Sequence, residues 1–428
     1  MNESADVIII GGGFTGSALA HALSDGKRRI VVYEARRTPA HRFAGELLHP
    51  GRLSVLGHAL TGRLRARGAD VGGFAVVPGP GQPATLLPYE GQPGLGIEHA
   101  VLVDELRLAA AEQPGVEFRY GLRAEARLVD GQVRGVRASD GSELDAPVVF
   151  GSEGRHSRLR SQLGLPTETQ LVSFTAALRV DGGQLPHPGF GHVLLGGPGP
   201  ILAYPITPTS VRMCFDLPAG DEVQAAGLAA LLARDYAPYV PAPLRAAMLS
   251  SLEHEAPQLV ANHAIRTGRC VAPGAALVGD AGGCAHPLTA AGMSVCLNDI
   301  GLLREELAVL GAQHTVDNAL ARFEARRYRF VRVRETLTDG LYRLLEHRGA
   351  SGPALRQALF AHWKRDRSRS VALLSCRSSN ANALRSEWIR VALRALGVVA
   401  AGGSGPRRPA LSDLASFVGV QLPRLLRA

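Results

Sequence analysis

The stretch Asp6-Val-Ile-Ile-Ile-Gly-Gly-Gly-Phe-Thr-Gly16 decides how the rest of the chain is read. Its unbroken β-branched run predicts a strand buried on both faces, and the run leads straight into glycines. After Gly16, Ser17-Ala-Leu-Ala-His-Ala-Leu23 carries apolar residues at helical spacing, and Arg29-Ile-Val-Val-Tyr-Glu34 reads as a second buried strand ending in an acid. Strand, glycine turn, helix and strand make one βαβ unit. Gly11, Gly13 and Gly16 stand in GxGxxG register, and Glu34 follows Gly16 by 18 residues. In such a unit the first glycine allows the tight turn, the second lets the backbone approach a pyrophosphate, and the third lets helix and strand pack closely. The helix start at Phe14 and Thr15 offers unpaired N–H groups and partial positive charge to phosphate. Glu34, with Ala35 beside it, stands where an acid accepts ribose hydroxyls. This unit alone does not separate FAD from NAD.

The 428 residues are 46% apolar and 20% charged, which excludes a disordered chain and a long charged coiled coil and leaves room for two or three substructures. No apolar run reaches the ~18 residues of a spanning helix, and the N-terminus lacks the n- and h-regions of a signal peptide. The expectation is a cytoplasmic protein with at most peripheral membrane contact. Lysine occurs only at Lys27 and Lys364, so the net charge of +9 is almost all arginine. The arginines are spread out and mixed with acids, without interleaved aromatics, so the charge reads as a solvated surface and nucleic acid is not an expected partner. The exception is Arg322–Arg334, kept as a docking face for lipid or a reductase. Five cysteines, Cys214, Cys270, Cys284, Cys296 and Cys376, form no ligand-spaced cluster and read as free thiols, and no metal is expected.

Two later segments resolve the cofactor. Pro147-Val-Val-Phe-Gly-Ser-Glu-Gly-Arg-His-Ser-Arg-Leu-Arg160 resembles the "DG" motif of single-component flavin monooxygenases, with Glu153 where that family has Asp. Ala275-Ala-Leu-Val-Gly-Asp-Ala-Gly-Gly-Cys-Ala-His-Pro287 resembles their "GD" motif. There a strand delivers Gly279 and Asp280 to the flavin ribitol, and Pro287 directs the chain past the ring. The N–H groups at Gly292 and Met293 start a helix that stabilises negative charge on the reduced ring.

Within these enzymes the wording is similar to the squalene epoxidase branch. Arg42-Phe-Ala-Gly-Glu-Leu-Leu-His-Pro-Gly51 looks like its RxxGExLxPGG segment, and His286-Pro-Leu-Thr-Ala-Ala-Gly-Met293 with Asp299-Ile300 is similar to HPLTGGGM…DI. Leu355-Arg-Gln-Ala-Leu-Phe360 and Ala372-Leu-Leu-Ser375 resemble its helical tail. Three departures from the pattern bear on the chemistry. Val101 stands where the family has an arginine near the flavin, Phe74 where it has Tyr, and Glu153 as above; these bear on the substrate more than on the flavin. The resemblance implies that Glu34, Arg42, Asp280 and Met293 contact FAD. Arg42 also reads as a surface arginine paired with Glu46 at i,i+4 spacing. His286 reads as a structural hydrogen-bonding histidine ahead of a proton relay, and Cys284 as a small buried thiol.

The expected fold class is α/β, with a Rossmann-like FAD-binding domain (1–70, 96–168 and 262–330). An antiparallel-sheet substrate domain (71–95 and 169–261) is inserted in it, and a helical lid (331–428) follows. Strands are expected at Ser173–Val180, Gly191–Leu195, Pro200–Ile206 and Ser210–Asp216, with helices at Ala225–Tyr236 and Pro243–Ser251. Phe74, Tyr204 and Phe215 are the expected pocket side chains. Tyr89 and Tyr204 are the nearest candidates for a base, and each reads better as structural. The tail is expected to be helical, including Leu355–Trp363, Trp388–Leu396 and Leu411–Leu426.

No paired carboxylates or Ser-His-Asp set appears, so hydrolysis is disfavoured. The resemblance implies a flavin C4a-hydroperoxide that epoxidises a lipophilic polyene or prenyl chain, squalene or a prenylated secondary metabolite. Two alternatives stay open, hydroxylation of a lipophilic aromatic intermediate and a non-catalytic flavin-binding lipid carrier. With no second dinucleotide motif, the electrons come from NAD(P)H binding transiently or from a separate reductase, and the oxygen from O2. The oligomeric state is left open.

Overall fold

The computed structural model describes residues 3–40, 43–219, 227–309, 315–401 and 407–427. Val7–Ile10 lies inside a six-stranded sheet, parallel to Ile30–Glu34 on one side and to Val149–Gly151 on the other. Val116–Tyr120 and Ala275–Leu277 extend it in parallel, and Val271–Ala272 closes one edge antiparallel. The β-branched runs are buried because helices pack around them: Ile8, Ile9, Ile30, Val31 and Val149 share one core with Leu19, Leu106 and Leu297. Helix Phe14–Leu23 packs on helices His99–Ala111 and Gly292–Ala308. Parallel strands end on the same side, so the loops after Ile10, Gly151 and Leu277 collect along one edge.

A second sheet has seven strands in the order Gln258–Thr267, Thr167–Asp181, Ser210–Pro218, Ile201–Pro205, Gly191–Leu194, Gly73–Val77, Thr85–Pro88. All its pairs are antiparallel except Gly73–Val77 with Gly191–Leu194. One face packs on the segment Leu228–Tyr239 and helix Ala242–His254. The other faces the loop after Leu277. A three-stranded ribbon of Leu47–Leu48, Gly94–Gly96 and Ala69–Val71, and the three-stranded meander Ala124–Asp145, complete the sheets.

Two boundaries differ from the sequence reading. Strand Gln258–Thr267 runs across 261/262, because its pairing with Thr167–Asp181 continues to Thr267↔Thr167. Helix Val316–Leu345 is 30 residues long and crosses 330/331. Its first half belongs to the core of the parallel sheet through Leu320 and Phe323. Its second half joins the tail core of Leu337, Leu341, Leu355, Leu359, Trp363 and Trp388. Helices Gly352–Arg365, Arg367–Leu374, Ala381–Ala400 and Arg407–Arg427 follow, and residues 225–226 of the expected helix Ala225–Tyr236 lie outside the described residues.

Much of the arginine-dense stretch is paired within the fold. Arg322 and Arg326 pair with Glu306, Arg326 also with Glu305, Arg327 with Asp299, and Arg334 donates to the carbonyls of Leu373 and Ser378. At helical spacing these four side chains bind neighbouring elements, while Arg329 in the same stretch is exposed. Among the described residues no helix is long and apolar enough to cross a membrane.

Candidate active site

The turn after Val7–Ile10 is built on two steric facts. Gly11 has φ +99°, a region an L side chain rarely enters. A Cβ at Gly16 would overlap the Gly11 carbonyl oxygen, so helix and strand meet only with glycine there. At Gly13 an added Cβ would meet nothing within 4 Å, which leaves an open backbone edge beside the start of helix Phe14–Leu23. Phe14 and Thr15 are buried in that first turn. Glu34 sits partly buried at the end of the neighbouring strand and accepts N–H bonds from Gly12 (2.7 Å) and Arg36 (2.8 Å). Ala35 beyond it is exposed.

Arg107, absent from the sequence reading, completes this corner. Its Nε donates to the Gly12 carbonyl at 2.7 Å, its Nη1 to those of Arg36 and Arg37, and its Nη2 lies 3.4 Å from Glu34. Helical periodicity marks it as one more position on His99–Ala111, and nothing local in the sequence ties it to a turn 95 residues earlier.

On the next loop, Ser152 Oγ donates to the carbonyls of Ile10 and Gly11, locking the two turns together. Glu153 turns toward its own chain, accepting Ser157 Oγ (2.6 Å) and the Arg158 N–H (2.9 Å) at the start of helix Arg158–Gln162. The longer acid thus acts as a local cap. Arg160 bridges loops, donating to the carbonyls of Ala281 and Arg155.

The third loop carries Gly279 and Asp280 in a short 3-10 turn, Gly279–Gly282. Gly279 is buried against Thr15 and Cys296. The Asp280 carboxylate makes no hydrogen bond to a described residue, and the surrounding protein pushes its carboxyl above the usual range by desolvation, against Arg155 and Arg327. Behind the turn, Asp299 Oδ2 accepts the Gly279 N–H (2.9 Å) and Arg327 Nε (2.9 Å), and both charged groups are almost fully buried. Cys284 donates to the His263 carbonyl and its thiol is pushed up by burial, as a structural cysteine would be. Pro287 and Gly292 are exposed, while Met293 is buried beside Gly45. Gly292 opens helix Gly292–Ala308, which leaves the first N–H groups without helical partners.

The second sheet covers this loop. His286 accepts the Leu288 N–H at Nδ1, so its Nε2–H faces Asp216 (3.1 Å) and Ser173 (2.8 Å). Asn262 and Tyr342 join the same buried network. Both ring nitrogens of His286 are thus hydrogen-bonded within the protein. Tyr204 is buried with Leu47, Val71 and Ile206, against Phe74, Tyr89 and Ala290. Phe215 corrects the sequence reading. Strand alternation puts Asp216 on the face toward His286, so Phe215 points the other way, fully buried against Tyr236. Glu46 pairs with Arg212 in a buried two-bond contact (2.7 and 3.0 Å), and Arg42 lies outside the described residues. The pair borders a cavity of about 420 Å³ with Arg179, Asp181, Glu98 and Gln258. Val101 is half-buried, packed against the core of the parallel sheet.

The squalene epoxidase sequence pattern matches residues 145–404. The chain belongs to the squalene epoxidase family. Residues 6–72 also match the FAD dependent oxidoreductase pattern. Squalene epoxidase 3 of Arabidopsis thaliana is 32% identical, over 79% of this chain and 67% of its own length. Squalene monooxygenase SE1 of Panax ginseng is 33% identical, over 80% and 66%. The Mus musculus squalene monooxygenase is 29% identical, over 84% and 65%. The chain thus spans about two thirds of the length of these relatives. Among solved structures, p-nitrophenol 4-monooxygenase PnpA from Pseudomonas putida DLL-E4 superposes with a TM-score of 0.73 at 17% identity, covering 91% of this chain and 98% of its own. The flavin-dependent brominase Bmp2 does so with a TM-score of 0.74 at 16%, covering 90% and 97%. At those identities the likeness is one of fold.

The side chains of this squalene epoxidase family member fit FAD. The open edge at Gly13 and the uncapped start of helix Phe14–Leu23 suit the pyrophosphate, Glu34 suits the adenosine ribose, and the unpartnered carboxylate of Asp280 suits ribitol hydroxyls.

Proposed function

We propose that the chain is an FAD-dependent monooxygenase that places one O2-derived oxygen on a C=C bond of a lipophilic polyene or prenyl substrate, squalene or a prenylated secondary metabolite. The observation that carries this reading is the free Asp280 carboxylate and open Gly13 edge, lying on the same side of the parallel sheet as a loop covered by apolar Phe74 and Tyr204. Bound and reduced, the flavin supplies the oxygen-activating chemistry. The protein's part is then to hold the ring, aim the alkene and keep water out. Asp280, Pro287, Gly292 and Met293 serve the first task, and Phe74 and Tyr204 the other two. A phenol base, which aromatic hydroxylation would use, is not supported. Tyr89 is half-buried, its hydroxyl is pushed well above the ordinary value by desolvation, and both ring nitrogens of neighbouring His49 are hydrogen-bonded.

Electrons come from NAD(P)H at the flavin or from a separate reductase, and the protein works in the cytoplasm with at most peripheral contact to a membrane. The test is incubation of the FAD-loaded protein with squalene, prenylquinolones and polyene acids, with NADPH alone and with an added reductase, read by mass spectrometry. Products heavier by one oxygen support the proposal. FAD binding without substrate-dependent consumption of reductant and O2 would favour the lipid-carrier reading instead.

A further inference from the structure

The loop between His286 and Gly292 contains an alanine in a conformation that glycine normally holds. Ala290 has φ +49° and ψ +27°, at the end of the short turn Pro287–Thr289 and two residues before helix Gly292–Ala308. Left-handed backbone is disfavoured for a residue with a Cβ, so something must hold it. The motif this segment resembles, HPLTGGGM, has glycine at this place.

Three hydrogen bonds converge on the turn. The Ala290 N–H donates to the Pro287 carbonyl at 2.8 Å, the Thr289 hydroxyl meets that of Thr338 at 2.9 Å, and His49 Nε2 meets the Thr289 carbonyl at 2.8 Å. The last comes from another element altogether. Because a carbonyl only accepts, His49 carries its proton on Nε2, and Nδ1 accepts the Tyr89 hydroxyl at 2.6 Å. The imidazole is 1% exposed, boxed by Phe74 and Tyr89 at ring-centroid distances of 6.0 and 5.9 Å. Its orientation is therefore set from both sides.

We propose that His49 is a positioning residue for this turn: by donating Nε2–H to the Thr289 carbonyl it holds Ala290 left-handed and fixes where Pro287, Gly292 and Met293 meet the flavin. The inference rests on the FAD reading above. It couples two positions that lie far apart in sequence, so removing one partner changes the effect of the other. His49 moves no proton in this role. It decides the geometry of the groups that touch the ring.

The test compares H49L, H49Q, A290G and the H49L/A290G double variant in the FAD-loaded protein. FAD affinity is followed by flavin fluorescence, the ring environment by the visible spectrum, and peroxide release per reductant consumed by assay. Losing the donor to the Thr289 carbonyl predicts roughly tenfold weaker FAD binding in H49L, with an altered spectrum and more peroxide. H49Q, which keeps a donor, is expected within about threefold of wild type. With glycine tolerating the turn unaided, H49L is expected to cost less than about threefold in the A290G background. Wild-type FAD affinity and spectrum in H49L would overturn the proposal, as would an H49L penalty that is the same with and without A290G. If H49L fails to fold, a double variant that folds supports the coupling and one that also fails overturns it. A wild-type protein that does not bind FAD would remove the cofactor reading itself, which is a separate result.

Discussion

Arg327 Nε donates to Asp299 Oδ2 at 2.9 Å, and that same oxygen accepts the N–H of Gly279 at 2.9 Å. Arg327 Nη2 also reaches the Gly279 carbonyl at 3.2 Å. A buried charge pair therefore grips the backbone one residue before Asp280 from both its donor and its acceptor side. Burial alone would drive the guanidinium toward neutrality, and the facing carboxylate holds it above its ordinary value instead. Removing one partner leaves the other desolvated and unpaired. Arg327→Ala is expected to cost about 3–5 kcal/mol in urea unfolding, whereas the Arg327→Met/Asp299→Leu double variant costs less. A single-variant loss no greater than that of the double variant would contradict this account.

Gly16 and Gly13 separate folding from binding. A Cβ at Gly16 collides with the Gly11 carbonyl, and one at Gly13 meets open space. Gly16→Ala is expected to yield insoluble or strongly destabilised protein. Gly13→Ala is expected to melt within a few degrees of wild type yet bind FAD at least about tenfold more weakly, because the methyl stands where a pyrophosphate approaches the backbone. Equal FAD affinity in Gly13→Ala and wild type would remove this edge from the site.

Among the described residues the Asp280 carboxylate has no hydrogen-bond partner, so its substitution tests ligand contact with little structural side effect. Loss of charge-assisted hydrogen bonds to ribitol predicts roughly 10- to 100-fold weaker FAD binding in Asp280→Ala. Retention of full yellow colour through gel filtration would count against the assignment.

His49 also predicts a pH dependence. Burial lowers its pKa from 6.5 to about 4, so the folded state resists protonation that the unfolded chain accepts. Stability is then at its full value above about pH 6.5 and falls as the pH drops toward 4, by on the order of 3 kcal/mol if this group acts alone. His192, lowered likewise to about 4 by burial and by His187, adds in the same direction. Urea midpoints measured from pH 7.5 to 5 should fall less steeply for His49→Gln than for wild type. Parallel slopes would rule His49 out as a contributor.

The parallel sheet and its three loops were legible because each piece has a local signature: a β-branched run, a glycine at fixed offset, an acid or proline at the far end. Glu153 and Arg107 were not, for different reasons. Glu153 occupies a motif position but its extra methylene lets it fold back onto Ser157 and Arg158. Arg107 and Arg327 act across helices, where sequence periodicity reports a face and not a partner. Phe215 was misplaced by parity: both faces of its strand are covered, so hydrophobicity alone did not tell which side a residue takes. The left-handed turn at Ala290 and its support by His49 carry no local signal, because His49 and its partner Thr289 lie 240 residues apart.

The helix Val316–Leu345 carries Arg327 near its middle and Tyr342 close to its end, the one bound to Asp299 and the other to Asp216. A rod anchored at two separate points cannot pivot. If the tail swung out as a flap, it would have to tear a buried ion pair from behind the Gly279 turn before any opening appeared. The shaft is thus held at both points, and any movement of the tail falls to the helices that follow Leu345.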